Sequence, residues 1–470
     1  MKCRLLKLVL LFAVICLPVP VKAIQLEMHG DMNHRFQLYT NQNAFFVAEH
    51  KGRISDKDLE DTFGEIKYRF WFEGTSDDEN VKAVYAWEVG GLRFGERDKG
   101  GGYSGDGVNL ETRWGYIDFR LPGLDTYGFD TRTRIGLQPV DVNYWLWNET
   151  AMGVLFNGSH NAFDYHLGWI RGYEVNVIRD DDEGLRDEDA FYGKVYYNFG
   201  DGNKAGFFVL YQTSDADRDA ELNDEITSQL WEVKYFQDNA DLNVATLGLD
   251  GKYKFGNFFT NWDLMYQTGK IKDANFVDGF TNAVNDEYRF GGRSGNFDVS
   301  AYFMHFDLGY NLRDVKVTYR FWYASGDDDP NDDDFNGFLA TDVDIFDSIV
   351  LFEGGYTDDD YFTERPYIMD KGFIMNKLSL DYQATEKLKT GLAGMYMMTA
   401  EDLEYENHKS DEIGFEIDGY TEYEIYKGLK IALNAGYLIG GDALDMFEED
   451  PDGESDENIF RTTMRVRYAF

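Results

Sequence analysis

The chain has 470 residues, a formal net charge of −41, 17% aromatic residues and 28% charged residues. Such acidity argues against nucleic acid as a partner, because the phosphate groups would be repelled. With only 7 prolines and no Pro-rich or Ser/Gly-rich linker, residues 24–470 are expected to form one domain. The combination of many aromatic and many charged residues is typical of a surface that faces both lipid and water.

The N-terminus has the three parts of a secretory signal peptide, residues 1–23. Lys2 and Arg4 begin a basic region, an apolar stretch covers 8–17, and a small-residue cleavage site ends at Ala23. Both cysteines lie inside this segment, so the mature chain would have no disulfide and no cysteine-ligated metal. After it no apolar run approaches 18 residues, so a membrane-spanning form would have to be a closed β-barrel.

Alternation of apolar and polar residues then predicts membrane-spanning strands. In the segment that begins at Val315, Val317 and Tyr319 alternate with Lys316 and Arg320. One face suits lipid and the other suits water. The same pattern occurs in Leu26–Tyr39, Glu65–Glu73, Phe129–Gln138, Val315–Ser325 and Phe460–Phe470.

Connections between the strands alternate between short and long. Short turns are expected at 76–80, 122–127, 157–161, 200–203, 256–257, 311–314, 384–387 and 426–428. Long polar loops are expected at 41–59, 92–107, 139–150, 173–188, 214–240, 270–296, 326–370, 401–410 and 442–457.

These eight turns and nine loops would join 18 strands. The predicted fold class is therefore all-β, a transmembrane antiparallel β-barrel of about 18 strands. Short turns and both termini would face the periplasm, and the long loops would be extracellular. Counts of 16 or 20 strands stay open. A large soluble all-β protein would explain the alternation but not the signal peptide.

The final strand ends on an aromatic residue. Met464, Val466, Tyr468 and Phe470 share one face, while arginines occupy the other. This face looks like the terminal signal that the barrel-assembly machinery reads in outer-membrane proteins. We therefore predict a location in the outer membrane of a Gram-negative bacterium, in contact with lipid and lipopolysaccharide.

Three motifs near the C-terminus carry a resemblance. Glu416-Ile417-Asp418 begins a long strand, Gly436-Tyr437 follows a hairpin, and 440–444 reads Gly-Gly-Asp-Ala-Leu. This order resembles the C-terminal end of the alginate-export family of outer-membrane porins, over roughly the last 60 residues. The resemblance implies an 18-stranded barrel with an arginine-rich lumen. Alginate itself is not carried over as substrate, because no other lumen position can be matched.

An 18-stranded barrel is too wide for side chains to fill, so passive diffusion of small polar solutes is the expected function. Inward-facing cations would favour carboxylates, phosphate or acidic sugars. Two alternatives stay open: arginines that only neutralise lumen acids, giving unselective or cation-preferring passage, and a structural or adhesive barrel with a plugged lumen. The predicted pore-lining residues are Arg35, Arg69, Arg132, Arg134, Lys316, Arg320, Arg461, Arg465 and Arg467.

The longest loop is rich in aspartate. Asp327, Asp329, Asp332 and Asp334 could form an oxygen cage for Ca²⁺, although a solvated acidic surface is the alternative. No other cofactor is expected. Neither a metalloprotease motif nor a serine-hydrolase motif occurs, so we predict no catalytic residues and no enzyme. The sequence leaves open a monomer or a homotrimer.

Overall fold

The computed structural model describes residues 24–42, 59–97, 100–103, 108–173, 188–215, 236–237, 241–276, 294–329, 332–352, 367, 371–405, 407–448 and 458–470. The predicted signal peptide lies outside these residues.

Eighteen long strands account for most of the described residues. They are β1 (Gln25–Gln42), β2 (Leu59–Thr75), β3 (Val81–Arg93), β4 (Glu111–Arg120), β5 (Asp130–Pro139), β6 (Thr150–His160), β7 (Phe163–Tyr173), β8 (Glu188–Gly200), β9 (Asn203–Asp215), β10 (Asp241–Phe255), β11 (Phe258–Phe276), β12 (Ser294–Leu312), β13 (Val315–Ala324), β14 (Phe373–Gln383), β15 (Leu388–Tyr405), β16 (His408–Tyr426), β17 (Leu429–Gly440) and β18 (Ile459–Ala469).

Short elements lie in the connections between these strands. Two-residue strands cover Phe236–Gln237 and Asp334–Phe335. A 3₁₀ turn covers Asp125–Tyr127, and the helix α1 covers Ala443–Glu448. No helix in the described residues is long and apolar enough to cross a membrane.

Each long strand pairs antiparallel with its sequence neighbours, and β1 also pairs antiparallel with β18. At this seam Asp31 lies opposite Ala469 and Thr40 lies opposite Phe460. Pairing of the first strand with the last closes the sheet into a barrel without a free edge. The predicted closed antiparallel barrel of 18 strands is therefore confirmed.

The two faces of each strand follow the predicted alternation. On β13 the side chains of Val317 and Tyr319 are exposed on the outer face, whereas Thr318 and Trp322 are buried on the inner face. Inner side chains are covered because two loops occupy the lumen, as described below. The outer face presents an apolar surface, and this requires a nonpolar surrounding.

Each predicted short turn falls at a connection between consecutive strands, but 157–160 belong to the end of β6 and 311–312 to the end of β12. At the turn after β16, Gly428 has φ 82°, and a Cβ there would lie 2.3 Å from the carbonyl oxygen of Ala469. Only glycine fits this position. The long loop expected at 401–410 is wrong: β15 continues to Tyr405 and β16 begins at His408.

Candidate functional site: the barrel lumen

Two loops fold into the lumen. The first joins β5 to β6 and covers 140–149, and the described part of the second covers 325–329 and 332–352. The sequence could not decide whether the second loop turns inward. The structure shows that it does, because its residues bond to inner side chains of β9, β11, β13 and β16, which lie around the barrel. We call the segment 338–352 the inner loop.

The inner loop crosses from one wall to the other. Gln267 of β11 donates from its side-chain amide to the carbonyl oxygen of Leu339 at 2.7 Å and accepts from the N–H of Leu339 at 2.8 Å. The backbone N–H of Thr341 donates to the carbonyl oxygen of Leu146 in the first loop at 2.8 Å. The Thr341 hydroxyl donates to Gln212 of β9 at 3.1 Å. These bonds satisfy backbone groups that burial would otherwise leave without partners.

An aromatic cluster fixes both loops to the wall. Trp145 of the first loop packs against Trp322 and Phe303 of the wall, each with ring centroids 5.3 Å apart. Phe338 of the inner loop packs on Phe303 at 5.2 Å. Trp322, Phe303 and Phe338 are fully buried, as is Tyr367. Burial of large aromatic side chains supplies much of the energy that holds the loops inside.

Asp347 anchors the inner loop to β13 and β14. Its carboxylate pairs with Arg320, which also donates to Asp307 from Nε at 2.7 Å. The Trp322 indole N–H donates to Asp347 at 3.1 Å, and Lys377 donates to the Asp347 carbonyl oxygen. Asp347 is only 2% exposed, so this charge is stable there because it is paired and hydrogen-bonded.

Glu416 and Asp418 hold the next residues of the inner loop. The Glu416 carboxylate accepts from the backbone N–H groups of Ile349 at 2.9 Å, Val350 at 2.7 Å and Leu351 at 3.4 Å. Asp418 accepts from Ile349 at 3.1 Å. Successive N–H groups that converge on one carboxylate form a strong, charge-assisted contact. The Glu-x-Asp motif therefore positions the inner loop.

A cavity of about 500 Å³ lies between the inner loop and the wall. Lys316 and Lys389, near the short turns, line one part of it, and Asp347 and Phe346 of the inner loop line another. Six basic side chains line it, namely Arg35, Lys316, Arg320, Lys377, Lys389 and Arg465. Five acidic side chains also line it, namely Asp307, Asp347, Asp381, Asp418 and Glu422.

All eight predicted arginines bond to acidic or amide side chains of other strands. Arg35 pairs with Glu65, Arg69 with Glu88, Arg132 and Arg134 with Asp118, Arg320 with Asp307, Arg465 with Glu422, and Arg467 with Asp31, while Arg461 donates to Gln37. Arg35 lies directly opposite Arg465 at the seam between β1 and β18. Of the nine predicted residues, the structure brings Arg35, Lys316, Arg320 and Arg465 together at the cavity.

Two cavity lysines differ from these arginines. Lys316 lies 4.9 Å from the centre of the Phe259 ring, and Lys377 donates to a backbone carbonyl. The described residues place no carboxylate within salt-bridge distance of either. Lys377 was missed from the sequence, although it and Asp381 alternate with Leu378 and Leu380 in the same period-2 pattern.

The predicted calcium ligands lie at the start of the long loop. Asp327 is buried, whereas Asp329, Asp332 and Asp334 are exposed. The backbone N–H of Asp334 donates to the Asp332 carboxylate at 2.9 Å, an arrangement typical of a turn. The calcium site stays a prediction.

The predicted assembly residues Met464, Val466, Tyr468 and Phe470 belong to the outer face of β18 and its end.

An acid pair joins the two loops inside the lumen. Asp344 of the inner loop is hydrogen-bonded to Glu149 of the first loop. Burial, followed by repulsion from Glu149, raises the pKa of Asp344 to about 7, against an ordinary value of 3.8. Beside this pair, the backbone N–H of Asn148 donates to the Asp342 carbonyl oxygen at 3.0 Å. Protonation of Asp344 therefore favours contact between the loops.

The chain is similar in structure to three outer-membrane proteins, each with a TM-score of 0.50. They are opdK from Pseudomonas aeruginosa (9% identity, covering 94% of this chain and 98% of that one), a BenF-like porin from Pseudomonas fluorescens Pf-5 (11%, 95% and 98%) and OccK8 (OprE) from Pseudomonas aeruginosa (12%, 94% and 98%). At these identities the likeness shows the fold alone, which is that of the outer-membrane porin barrels. No protein-family model and no curated protein matches the sequence, so the alginate-export resemblance stays a prediction.

Proposed function

We propose that this protein is an outer-membrane channel for small polar solutes, with a preference for anions such as carboxylates, phosphate or acidic sugars. The closed barrel with an apolar outer face supports a location in the outer membrane of a Gram-negative bacterium. The inner loop narrows the lumen, and the cavity beside it provides a polar space of solute size.

One observation carries the anion preference. Lys316 and Lys377 line the cavity without a carboxylate at salt-bridge distance in the described residues, whereas the arginines beside them bond to carboxylates. A paired arginine contributes little net potential, because its partner cancels the charge. With six basic against five acidic side chains in the lining, the two lysines leave the cavity with a small excess of positive charge, which would raise the local concentration of anions.

The test is the reversal potential of the purified protein in planar bilayers that separate unequal KCl concentrations. We expect the wild-type channel to prefer Cl⁻ and the double variant Lys316→Gln, Lys377→Gln to lose that preference. Lys387→Gln, on the exposed turn after β14, is the matched control and should leave selectivity unchanged. Cation selectivity of the wild-type channel would contradict the anion preference but not the channel itself.

The buried aromatic cluster inside the barrel favours a second candidate, a structural or adhesive barrel with a plugged lumen. Trp145, Trp322 and Phe338 fill space that a wide pore would leave to water. Single-channel recordings separate the two functions. Discrete conductance steps support the channel, and their absence from correctly folded protein supports the plugged barrel.

A further inference from the structure

A cluster of metal-ligating side chains lies on the inner wall beside the first short turn. Glu27 and His29 are two residues apart on β1, so their side chains share a face, and Glu73 of β2 lies directly opposite Glu27. Leu26 and Met28 are exposed on the other face. The ligand atoms of the three residues lie within 4.8 Å of one another, which no other trio of His, Cys, Asp or Glu achieves among the described residues.

The geometry of this cluster is supported by its neighbours. The His29 ring stacks on Trp71, with centroids 5.0 Å apart and planes at 19°, and this contact fixes the plane of the imidazole. The Gln25 amide donates to Oε1 of Glu27 at 2.6 Å. The other oxygen of Glu27, Oε2, lies 3.8 Å from Nε2 of His29. Orientation of a ligand by a second residue is a general feature of metal sites.

The ammonium group of a lysine already contacts one of the three ligands. Lys82 of β3 pairs with Oε2 of Glu73 at 2.5 Å. The ammonium group compensates one of the two carboxylates, and a metal ion would have to displace it. Side-chain exposures of 51% for Glu27, 32% for His29 and 22% for Glu73 leave the cluster open to ions from the lumen.

We propose that Glu27, His29 and Glu73 form a binding site for a divalent cation of the zinc class at the short-turn mouth of the barrel. One imidazole and two carboxylates are a donor set that suits Zn²⁺, whereas Ca²⁺ and Mg²⁺ prefer oxygen ligands alone. Ligand atoms in a tetrahedral zinc site are about 3.3 Å apart, so small side-chain rotations would close the observed spacing. Water would occupy the fourth position. The proposal does not depend on the channel function.

Isothermal titration of Zn²⁺ into the purified, chelator-treated barrel in detergent tests this site, after removal of any histidine tag. We expect one ion per chain, and at least about tenfold weaker binding in His29→Ala and in Glu73→Gln, because loss of even an outer partner costs this much. His160→Ala, at the last residue of β6, is the matched control and should bind as the wild type does. Lys82→Met should bind Zn²⁺ more tightly, because the competing ammonium group is gone.

Several outcomes would overturn the proposal. Unchanged Zn²⁺ binding in both His29→Ala and Glu73→Gln would place the ion elsewhere, and so would a loss of binding in His160→Ala. Absence of any binding to the wild type would also exclude the site. Heat-modifiable migration in gels confirms that each variant is folded, and Glu73→Gln keeps the test valid if His29→Ala does not fold.

Discussion

Removal of the Glu416 carboxylate should release the end of the inner loop, residues 348–352, from the barrel wall. In Glu416→Ala, the N–H groups of Ile349, Val350 and Leu351 lose their shared acceptor. A hydrogen bond to a charged group contributes about 1.5–3 kcal/mol. Ile349 keeps Asp418 as an acceptor and Leu351 keeps the Ser348 hydroxyl, so only the bond of Val350 is lost without a replacement, at about 1.5–3 kcal/mol.

In the open state water can replace part of the lost hydrogen bonding, so we use the lower limit of this free energy. A change of about 1.5 kcal/mol raises the open fraction of this part of the loop by roughly tenfold. The contacts of Asp347 with Arg320 and Lys377 remain in this variant. The opening should therefore be confined to the residues that follow Asp347, without detachment of the whole loop.

The assay uses a single cysteine at position 350, where Val350 is 1% exposed. Both natural cysteines lie in the predicted signal peptide, so Val350→Cys would be the only thiol of the mature chain. Because this site is buried, its reaction with a methanethiosulfonate reagent reports the open fraction. We expect labelling about tenfold faster with Glu416→Ala and unchanged with Glu412→Ala, an exposed glutamate of the same strand. Equal rates in all three folded proteins would refute the role of Glu416.

Three further predictions concern other contacts. The pKa of Asp344 is raised to about 7, so the loop contact is strongest in acid and weakens as pH rises through 7; labelling of Val343→Cys, at a buried position beside Asp344, should become faster over this range, and Asp344→Asn should abolish the change. Arg320→Ala removes the arginine that Asp307 and Asp347 share, so denaturant unfolding should show a loss of about 3–5 kcal/mol. Gly30→Ala places a Cβ 2.5 Å from the Phe470 ring, whereas Gly74→Ala meets nothing closer than 3.5 Å; only the former should slow folding into liposomes.

Strands and turns were predictable because their signals are local. The strand Val315–Ser325 can be recognised from the alternation of lipid-facing and water-facing residues alone. A short turn can be recognised where this alternation is interrupted. The error at 401–410 has the same origin. The residues at the end of β15 and the start of β16 are polar, so the sequence indicated a loop there. The two strands in fact continue beyond the apolar band and pair with each other.

The site was less predictable because its contacts join distant parts of the chain. The sequence indicated the inward face of Arg320 but not its partner Asp347, which is 27 residues away in a loop. Glu416 stood out only as part of a family-like motif. Its role depends on backbone groups 67 residues away, and no periodicity reports such a contact. To predict the Arg320–Asp347 contact or the Glu416 contact, one would need information on which pairs of positions lie together.

The β1–β18 seam also has a kinetic consequence. Gly30 and Phe470 exchange two backbone hydrogen bonds of 3.0 Å, and Arg467 reaches Asp31 across 436 residues of sequence. Hairpins between neighbouring strands can form early because they close short loops, whereas the seam must wait for the entropy loss of joining the two ends of the chain. Cylinder closure should therefore be the last and rate-limiting event of folding. Weakened seam contacts would prolong the lifetime of an open sheet whose first and last strands are unpaired and prone to aggregate.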